Sequence, residues 1–470
     1  MSAARLKNLH DAVQQAMKQW RSREIGASAL TTLCVLRQIQ RERHLGAPQA
    51  VWALLNEALA RLAKQDADAA QLLRMRFVDD TPVHQVAVQL HRAESTIYGQ
   101  QRQALVGLCS VLAQMEEAAL KQQTSRQLPR LEPATYERLV GGEAHLDRLM
   151  ALLVTPEPPR IVALEGIGGI GKTSLADALL RRVIEQGLFE EIGWVSARQQ
   201  YLNLGGVVRI VPEAALTAEE LVDRLFAQLL TAGQPSSQGA YDQRLALLRA
   251  HLKEIPHLIV VDNLETLLDV ESLLPTLQDL ANPTKFVLTA RERVYGVSRV
   301  YHYTLPELAP PHALELLRLE AQMSNLPSLL ACSDEELMPI VETVGGNPLA
   351  LRLVVGQAQI YDLAQVLADL QQARGQSAAN LYTYIYRQSW QRLDRPTQEA
   401  LLLMPLARPQ GESLDYLAQI GGMDVETLKD ALAALVRYNL VDVRGDIHSQ
   451  HYSIHGLTRT FLQEQVAKWM

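Results

Sequence analysis

One stretch constrains this chain more than any other. The apolar run Ile161-Val162-Ala163-Leu164-Glu165 leads directly into Gly166-Ile167-Gly168-Gly169-Ile170-Gly171-Lys172-Thr173, and a helical pattern starts at Ser174. Strand, glycine-rich turn and helix in that order make a phosphate-binding loop. Backbone N–H groups of Gly166, Gly168, Gly169, Ile170 and Gly171 can wrap phosphate oxygens only where no Cβ intervenes, and the helix N-terminus opening at Ser174 adds a favourable dipole. Lys172 is placed to reach the β- and γ-phosphates, and the Thr173 hydroxyl to complete a Mg²⁺ shell. The expected ligands are ATP or ADP with Mg²⁺.

A phosphate loop needs a second acid at the end of a neighbouring strand. His257-Leu258-Ile259-Val260-Val261-Asp262 supplies one: an apolar strand buried on both faces, with Asp262 at its carboxyl end, where open α/β sheets bind ligands. Thr173 and Asp262 are the expected Mg²⁺ ligands. The next residue, Asn263, cannot serve as a general base, because an amide takes up no proton near neutral pH. Glu265 is a candidate activator of water, or else a first-turn helix charge. The strand Lys285-Phe286-Val287-Leu288-Thr289 ends in Ala290-Arg291, so Arg291 either reads the γ-phosphate or pairs with Glu292 at the surface. Lys172, Asp262, Glu265 and Arg291 form the candidate catalytic set.

The 470 residues allow about three domains. Residues 1–120 read as consecutive amphipathic helices, and the polar stretch 121–135, which carries two prolines, reads as a linker. From 136 to about 304, strands at 160–164, 192–196, 257–261 and 285–289 alternate with helices, which predicts an α/β core with a parallel sheet. Helices follow over 305–375, and 376–470 mixes helices with short β-like pieces at 440–443 and 452–454. Net charge is −7, yet residues 1–130 hold 17 Lys and Arg against 11 Asp and Glu, so the basic end is the N-terminus. Such a surface suits nucleic acid and is also ordinary solvated protein. Cys34, Cys109 and Cys332 are far apart and form no close-spaced motif, and no segment reads as a signal peptide or membrane span, so a cytoplasmic protein is expected.

These residues, in this order, resemble the STAND class of P-loop ATPases, in particular the NB-ARC type found in bacterial regulators. Leu139-Val140-Gly141-Gly142-Glu143 is similar to that family's Val-Gly-Arg-Glu motif, whose backbone holds adenine, which assigns Val140 to the nucleotide; Gly142 stands where the family has Arg. Asp262-Asn263-Leu264-Glu265 resembles a bacterial variant of the family's acidic strand end, and Leu288-Thr289-Ala290-Arg291 its sensor strand. Gly345-Gly346-Asn347-Pro348-Leu349-Ala350-Leu351 looks like the Gly-x-Pro motif, in which Pro348 would pack on adenine. The last segment resembles a winged helix, and Ile454-His455-Gly456 aligns with Met-His-Asp, so His455 is implied as a contact to the ADP β-phosphate, with Gly456 in place of the acid.

Residues 72–112 resemble the helix-turn-helix of sigma-factor region four, with a support helix at 83–90, a turn at 91–93 and a recognition helix at 95–108. That assigns Ser95, Thr96, Tyr98, Gln100, Gln101 and Arg102 to DNA. The helix carries few cations, so a protein-docking module stands as the alternative. The expected function is a nucleotide-controlled switch that forms homo-oligomers on exchange of ADP for ATP and acts on promoter DNA, without a membrane. Since the sequence stops at the winged helix, a separate sensor protein or ligand is expected. A defence or signalling scaffold is the rival; a metabolic kinase would need acceptor-binding residues that the sequence does not offer.

Overall fold

The computed structural model describes residues 3–20, 29–134, 136–197, 216–230, 240–264, 267–290, 299–359, 362, 366, 390, 393–408, 411–437, 440–446, 449–454, 458 and 462. They divide into two compact units: Met1–Arg130 with Leu180–Ile192, and Leu131–Leu179 with Gly193–Met470.

The first unit is helical: α1 (Ala3–Lys18), α2 (Cys34–Arg43), α3 (Ala47–Gln65), α4 (Ala67–Leu73), α5 (Val83–Gln89) and α6 (Glu94–Gln127). Leu and Ala at helical spacing bury Val13, Met17, Leu36, Leu54, Leu108 and Leu112 in one core. Glu116 is fully buried inside it. Its carboxylate accepts from the Cys34 and Val35 N–H groups at 3.1 and 3.0 Å, placing an anion on the otherwise unsatisfied first turn of α2. A smaller core of Leu72, Val83, Val86, Ala87 and Ile97 fastens α5 to the start of α6.

Helix α6 is 34 residues long and runs through 121–127, where the sequence analysis places a linker. Nothing in Lys121–Gln127 breaks a helix; the first breaker is Pro129. The polar residues there also have work inside the fold. Gln123 donates to the Phe189 carbonyl at 2.7 Å and Gln127 to the Glu190 carbonyl at 2.6 Å. Beside them, Glu191 receives Arg126 and Arg130 at 2.6 Å each and Arg41 at 3.4 Å. The segment 187–192 is thus clamped by α2 and the C-terminal end of α6.

The second unit contains a sheet of order β2-β3-β4-β1-β5. Its strands are β1 (Ile161–Glu165), β2 (Glu191–Ser196), β3 (His257–Leu264), β4 (Lys285–Ala290) and β5 (Val300–Thr304), and β1 pairs in parallel with both β4 and β5. The first four coincide with the expected strands. β5 is additional: its Val-Tyr-His-Tyr-Thr sequence alternates at a half-exposed sheet edge instead of forming a wholly apolar run. Helices α7 (Glu143–Val154), α8 (Lys172–Gln186), α9 (Ala218–Leu230), α10 (Tyr241–Glu254) and α11 (Leu267–Leu280) accompany the strands. The expected α/β class with a parallel sheet is what the structure has.

Beyond the sheet come α12 (Pro310–Met323), α13 (Pro327–Ala331), α14 (Asp334–Val344) and α15 (Pro348–Ala358), then α16 (Arg395–Leu403), α17 (Leu414–Gly421), α18 (Val425–Arg437) and the antiparallel hairpin β6 (Asp442–Asp446) with β7 (Ser449–Ser453). Leu317, Leu353, Leu401, Leu432 and Tyr452 belong to one buried cluster, so α12–α15 and the C-terminal helices and hairpin share a core. Among the described residues no helix is long and apolar enough to cross a membrane.

Candidate functional site

The glycine loop lies between the end of β1 and the start of α8. Gly169 and Gly171 have φ of +74° and +98°, a region closed to most side chains, which is why the chain can curl here as a phosphate-binding turn requires. A Cβ built on Gly171 meets nothing within 4 Å, so the loop is open on that side. Lys172 lies back along the loop, its Nζ donating to the carbonyls of Gly166 at 2.7 Å and Ile167 at 3.0 Å.

Thr173 on α8 and Asp262 on β3 meet: the Thr173 hydroxyl donates to Asp262 Oδ1 at 2.8 Å. The same oxygen accepts from the Thr289 hydroxyl on β4 at 2.6 Å. Thr289 in turn accepts the Asn263 N–H at 2.8 Å, and Asn263 has φ of +68°. Asp262 is fully buried. Burying a carboxylate is costly unless donors or a cation compensate it, and two hydroxyls supply part of that compensation. A hydroxyl and a carboxylate are the hard oxygen donors that Mg²⁺ takes, and both adjoin the phosphate loop, so the residues present fit the ion. Thr289 is a member of this site that sequence reasoning passed over in favour of Arg291.

The Gly345-Gly346-Asn347-Pro348 turn joins α14 to α15 against the loop. A Cβ on Gly346 would lie 2.0 Å from the Leu308 carbonyl oxygen, so only glycine lets the two backbones approach. Pro348 sits at the first position of α15, where its missing N–H and fixed φ are an advantage. Asn347 caps the helix, accepting from Leu349 and Ala350 N–H at 3.1 and 3.4 Å.

A cavity of about 840 Å³ opens beside the loop, lined among others by Val140, Gly171, Ser174, Pro348, Arg352 and Asp442. That size is in the range of small-molecule and cofactor sites. Arg352, on α15, faces Glu320 on α12 through Nε at 3.2 Å and Asp442 on β6 through Nη2 at 3.1 Å. Burial works against its charge, and the Asp442 and Glu320 carboxylates more than offset this, raising its pKa above the usual guanidinium value.

The expected site residues therefore separate into groups. Gly166, Gly168, Gly169, Ile170, Gly171, Lys172, Thr173 and Ser174 stand together with Asp262, and Val140 and Pro348 line the adjoining cavity. Glu265, Arg291 and His455 lie outside the described residues. In the first unit Ser95, Thr96, Tyr98 and Arg102 are exposed on α6, whereas Gln100 and Gln101 are partly buried. The Gln101 side-chain oxygen accepts from Arg76 Nε at 3.1 Å, so this amide is already engaged within its own fold.

Comparison with known proteins places these observations. The family model described as the NB-ARC domain matches residues 142–326. An uncharacterized WD repeat-containing protein of Nostoc sp. is 25% identical over 339 residues, which cover 67% of this chain and 26% of that protein. The regulatory protein AfsR of Streptomyces griseus is 26% identical over 343 residues, 70% of this chain and 32% of its own. The disease resistance-like protein DSC1 of Arabidopsis thaliana is 24% identical over 332 residues, 69% and 26% respectively. The chain thus spans about a quarter to a third of the length of these relatives. Among solved structures, a STAND protein with a tetratricopeptide repeat sensor from Pyrococcus horikoshii aligns over 71% of this chain and 43% of that one, at 18% identity and a TM-score of 0.42. The NB-ARC match covers both the Gly166–Thr173 loop and the Thr173–Asp262 pair, so residues 142–326 are similar to an NB-ARC domain in the segment that carries the candidate site.

Proposed function

We propose that this chain is a nucleotide-controlled switch in which ADP holds a closed state and ATP an open, oligomeric one. The observation that carries the reading is the shared cavity: its wall includes the phosphate loop at Gly171 and Ser174, the α15 start at Pro348, and Asp442 on the C-terminal hairpin. A ligand seated there touches three parts of the chain at once, so its affinity differs between their closed and separated arrangements, which is the physical requirement for a switch. Thr173 and Asp262 hold Mg²⁺, Lys172 meets the β- and γ-phosphates, and the metal supplies charge stabilisation to the phosphates when bound. Asn263 follows Asp262 where a base would be useful, so turnover is slow. Glu265 as water activator, Arg291 as γ-phosphate reader and His455 as a clasp on ADP complete the proposal.

The test is the assembly state. Lys172→Ala is expected to abolish nucleotide binding, and His455→Ala to raise the assembled fraction in ADP. Light-scattering mass measurements with ADP and with ATP read both, and unchanged mass in both variants would sink the switch.

The output is assigned to the first unit, in which Ser95, Thr96, Tyr98 and Arg102 on α6 contact promoter DNA once several copies assemble; the name of one relative, a regulatory protein, accords with this. Binding to promoter duplex should fall with salt and with Arg102→Ala. A scaffold that recruits a protein effector is the second reading, favoured by the partial burial of Gln100 and Gln101 and the bond of Gln101 to Arg76. Equal binding to promoter and random duplexes at every salt concentration decides for the scaffold.

A further inference from the structure

The Asn347 side chain is 1% exposed and does two things at once. Its oxygen caps α15, as described. Its nitrogen donates to the carbonyl oxygen of Gly168, in the middle of the phosphate loop, at 3.0 Å. The adjacent carbonyl, of Gly169, accepts from the Leu349 N–H at 3.3 Å. The two segments are packed to contact, since a Cβ on Gly169 would lie 2.7 Å from Leu349 Cβ and 3.0 Å from Asn347 Oδ1.

A trans peptide is planar, with its C=O and N–H pointing in opposite directions. Fixing the Gly168 carbonyl toward Asn347 therefore turns the Gly169 N–H the other way, away from α15. A phosphate loop works by presenting such N–H groups without reorganisation when the anion arrives. Left unheld, a Gly168–Gly169 peptide flanked by two residues with full backbone freedom would sample flipped orientations that present a carbonyl oxygen to the phosphate instead.

We propose that Asn347 is a positioning residue for the phosphate loop: it sets the Gly168–Gly169 peptide for phosphate binding and ties that peptide to the start of α15. The inference rests on the nucleotide-binding reading above and adds to it a specific residue outside the loop. It also gives the loop and α15 a joint state. When the peptide is held by phosphate, α15 is held by the peptide, and the coupling runs equally in the other direction.

The test separates the donor from the cap. Ser and Asp cap helices about as well as Asn, but Asn347→Ser and Asn347→Asp both remove the N–H donor to Gly168. ADP affinity is measured by titration of a fluorescent ADP, and folding by thermal melting without nucleotide. Expected for both variants is a melting temperature within a few degrees of wild type, with ADP affinity about tenfold weaker. Ser333→Ala is the control, because Ser333 caps α14 through its bond to the Glu336 N–H and touches no loop residue in doing so. It should lower the melting temperature and leave ADP affinity unchanged. Affinity within twofold of wild type in Asn347→Ser would overturn the role of Asn347, even if Asn347→Asp bound weakly, since charge alone would then account for the Asp variant. A loss in Ser333→Ala equal to that in Asn347→Ser would overturn it too, because any loosening of the helices would suffice. If wild type binds no ADP, the nucleotide reading itself fails and the inference with it; if wild type binds and only Lys172→Ala does not, the Asn347 variants alone decide.

Discussion

Arg352 on α15 donates to Asp442 on the C-terminal hairpin at 3.1 Å while Glu320 on α12 holds its other edge, so one guanidinium joins three elements. The pair lies in the wall of the nucleotide-sized cavity. Removing one member leaves a partly buried charge without its counter-charge. Asp442→Asn should cost about 2 kcal/mol by chemical denaturation, less than the loss at a fully buried pair because solvent reaches the site. Amide exchange at β6 and β7 should rise in the same variant. Unaltered exchange there would show that the ion pair does not hold the hairpin.

Thr289 reads as a second support for the metal-side carboxylate. Thr289→Val deletes the hydroxyl that donates to Asp262 and accepts from Asn263. We expect the Mg²⁺ concentration needed for half-maximal ATP binding to rise about tenfold, with Thr289→Ser close to wild type. Metal titrations superimposable on wild type for the Val variant would argue that Asp262 needs no such support.

Two neighbouring glutamates should respond in opposite ways. Glu191 is held by Arg126, Arg130 and Arg41, so Glu191→Gln leaves a cluster of arginines without its anion and should cost about 2 kcal/mol. Glu190 is paired with Arg41 at 3.5 Å, and burial raises its pKa, offset in part by Arg41 and Arg37. A raised carboxyl pKa means the folded chain keeps its proton longer than the unfolded chain. Stability contributed by this group is therefore highest at acid pH and declines as pH rises from the unfolded value through the folded one. Glu190→Gln should flatten that part of the stability–pH curve without loss of stability at pH 7; a loss as large as that of Glu191→Gln would refute the distinction.

Lys285 gives a pH effect of the opposite sign. Its buried ammonium donates to the carbonyls of Leu152, Thr155 and Glu157 at the end of α7, and burial lowers its pKa from 10.5 to about 8, with Arg160 adding to the effect. Between pH 8 and 10.5 the unfolded chain holds this proton and the folded chain has lost it, so the group's contribution to stability rises with pH across that window. Lys285→Met should remove the rise. Denaturation midpoints measured from pH 7.5 to 10 that run parallel in both proteins would count against it.

The parts of the site that the sequence exposed are those written contiguously. Gly166–Thr173 and the strand ending in Asp262 are local patterns whose chemistry follows from spacing alone. The Asn347–Gly168 bond spans 179 residues and the Arg352–Asp442 pair spans 90. No local pattern marks either pair, and only the packing of α15 against the loop and the hairpin brings the partners together. Thr289 was hidden for a related reason, since a threonine ending a buried strand is common and its contact with Asp262 depends on β3 and β4 being neighbours. β5 lacks the continuous apolar run that marks the other strands, and the polar composition of 121–127 reads as a break although Gln123 and Gln127 bond to the Phe189 and Glu190 carbonyls.

Helix α6 places Ser95 and Gln127 at the two ends of one unbroken rod. At 1.5 Å per residue they are roughly 48 Å apart. The far end is gripped through Gln123, Arg126 and Gln127 at the segment that follows α8, the helix whose first residues are Lys172 and Thr173. Between those ends Leu108 and Leu112 lie in the core of the first unit, so the exposed Ser95 end and the gripped Gln127 end are joined through a single helix whose middle is buried.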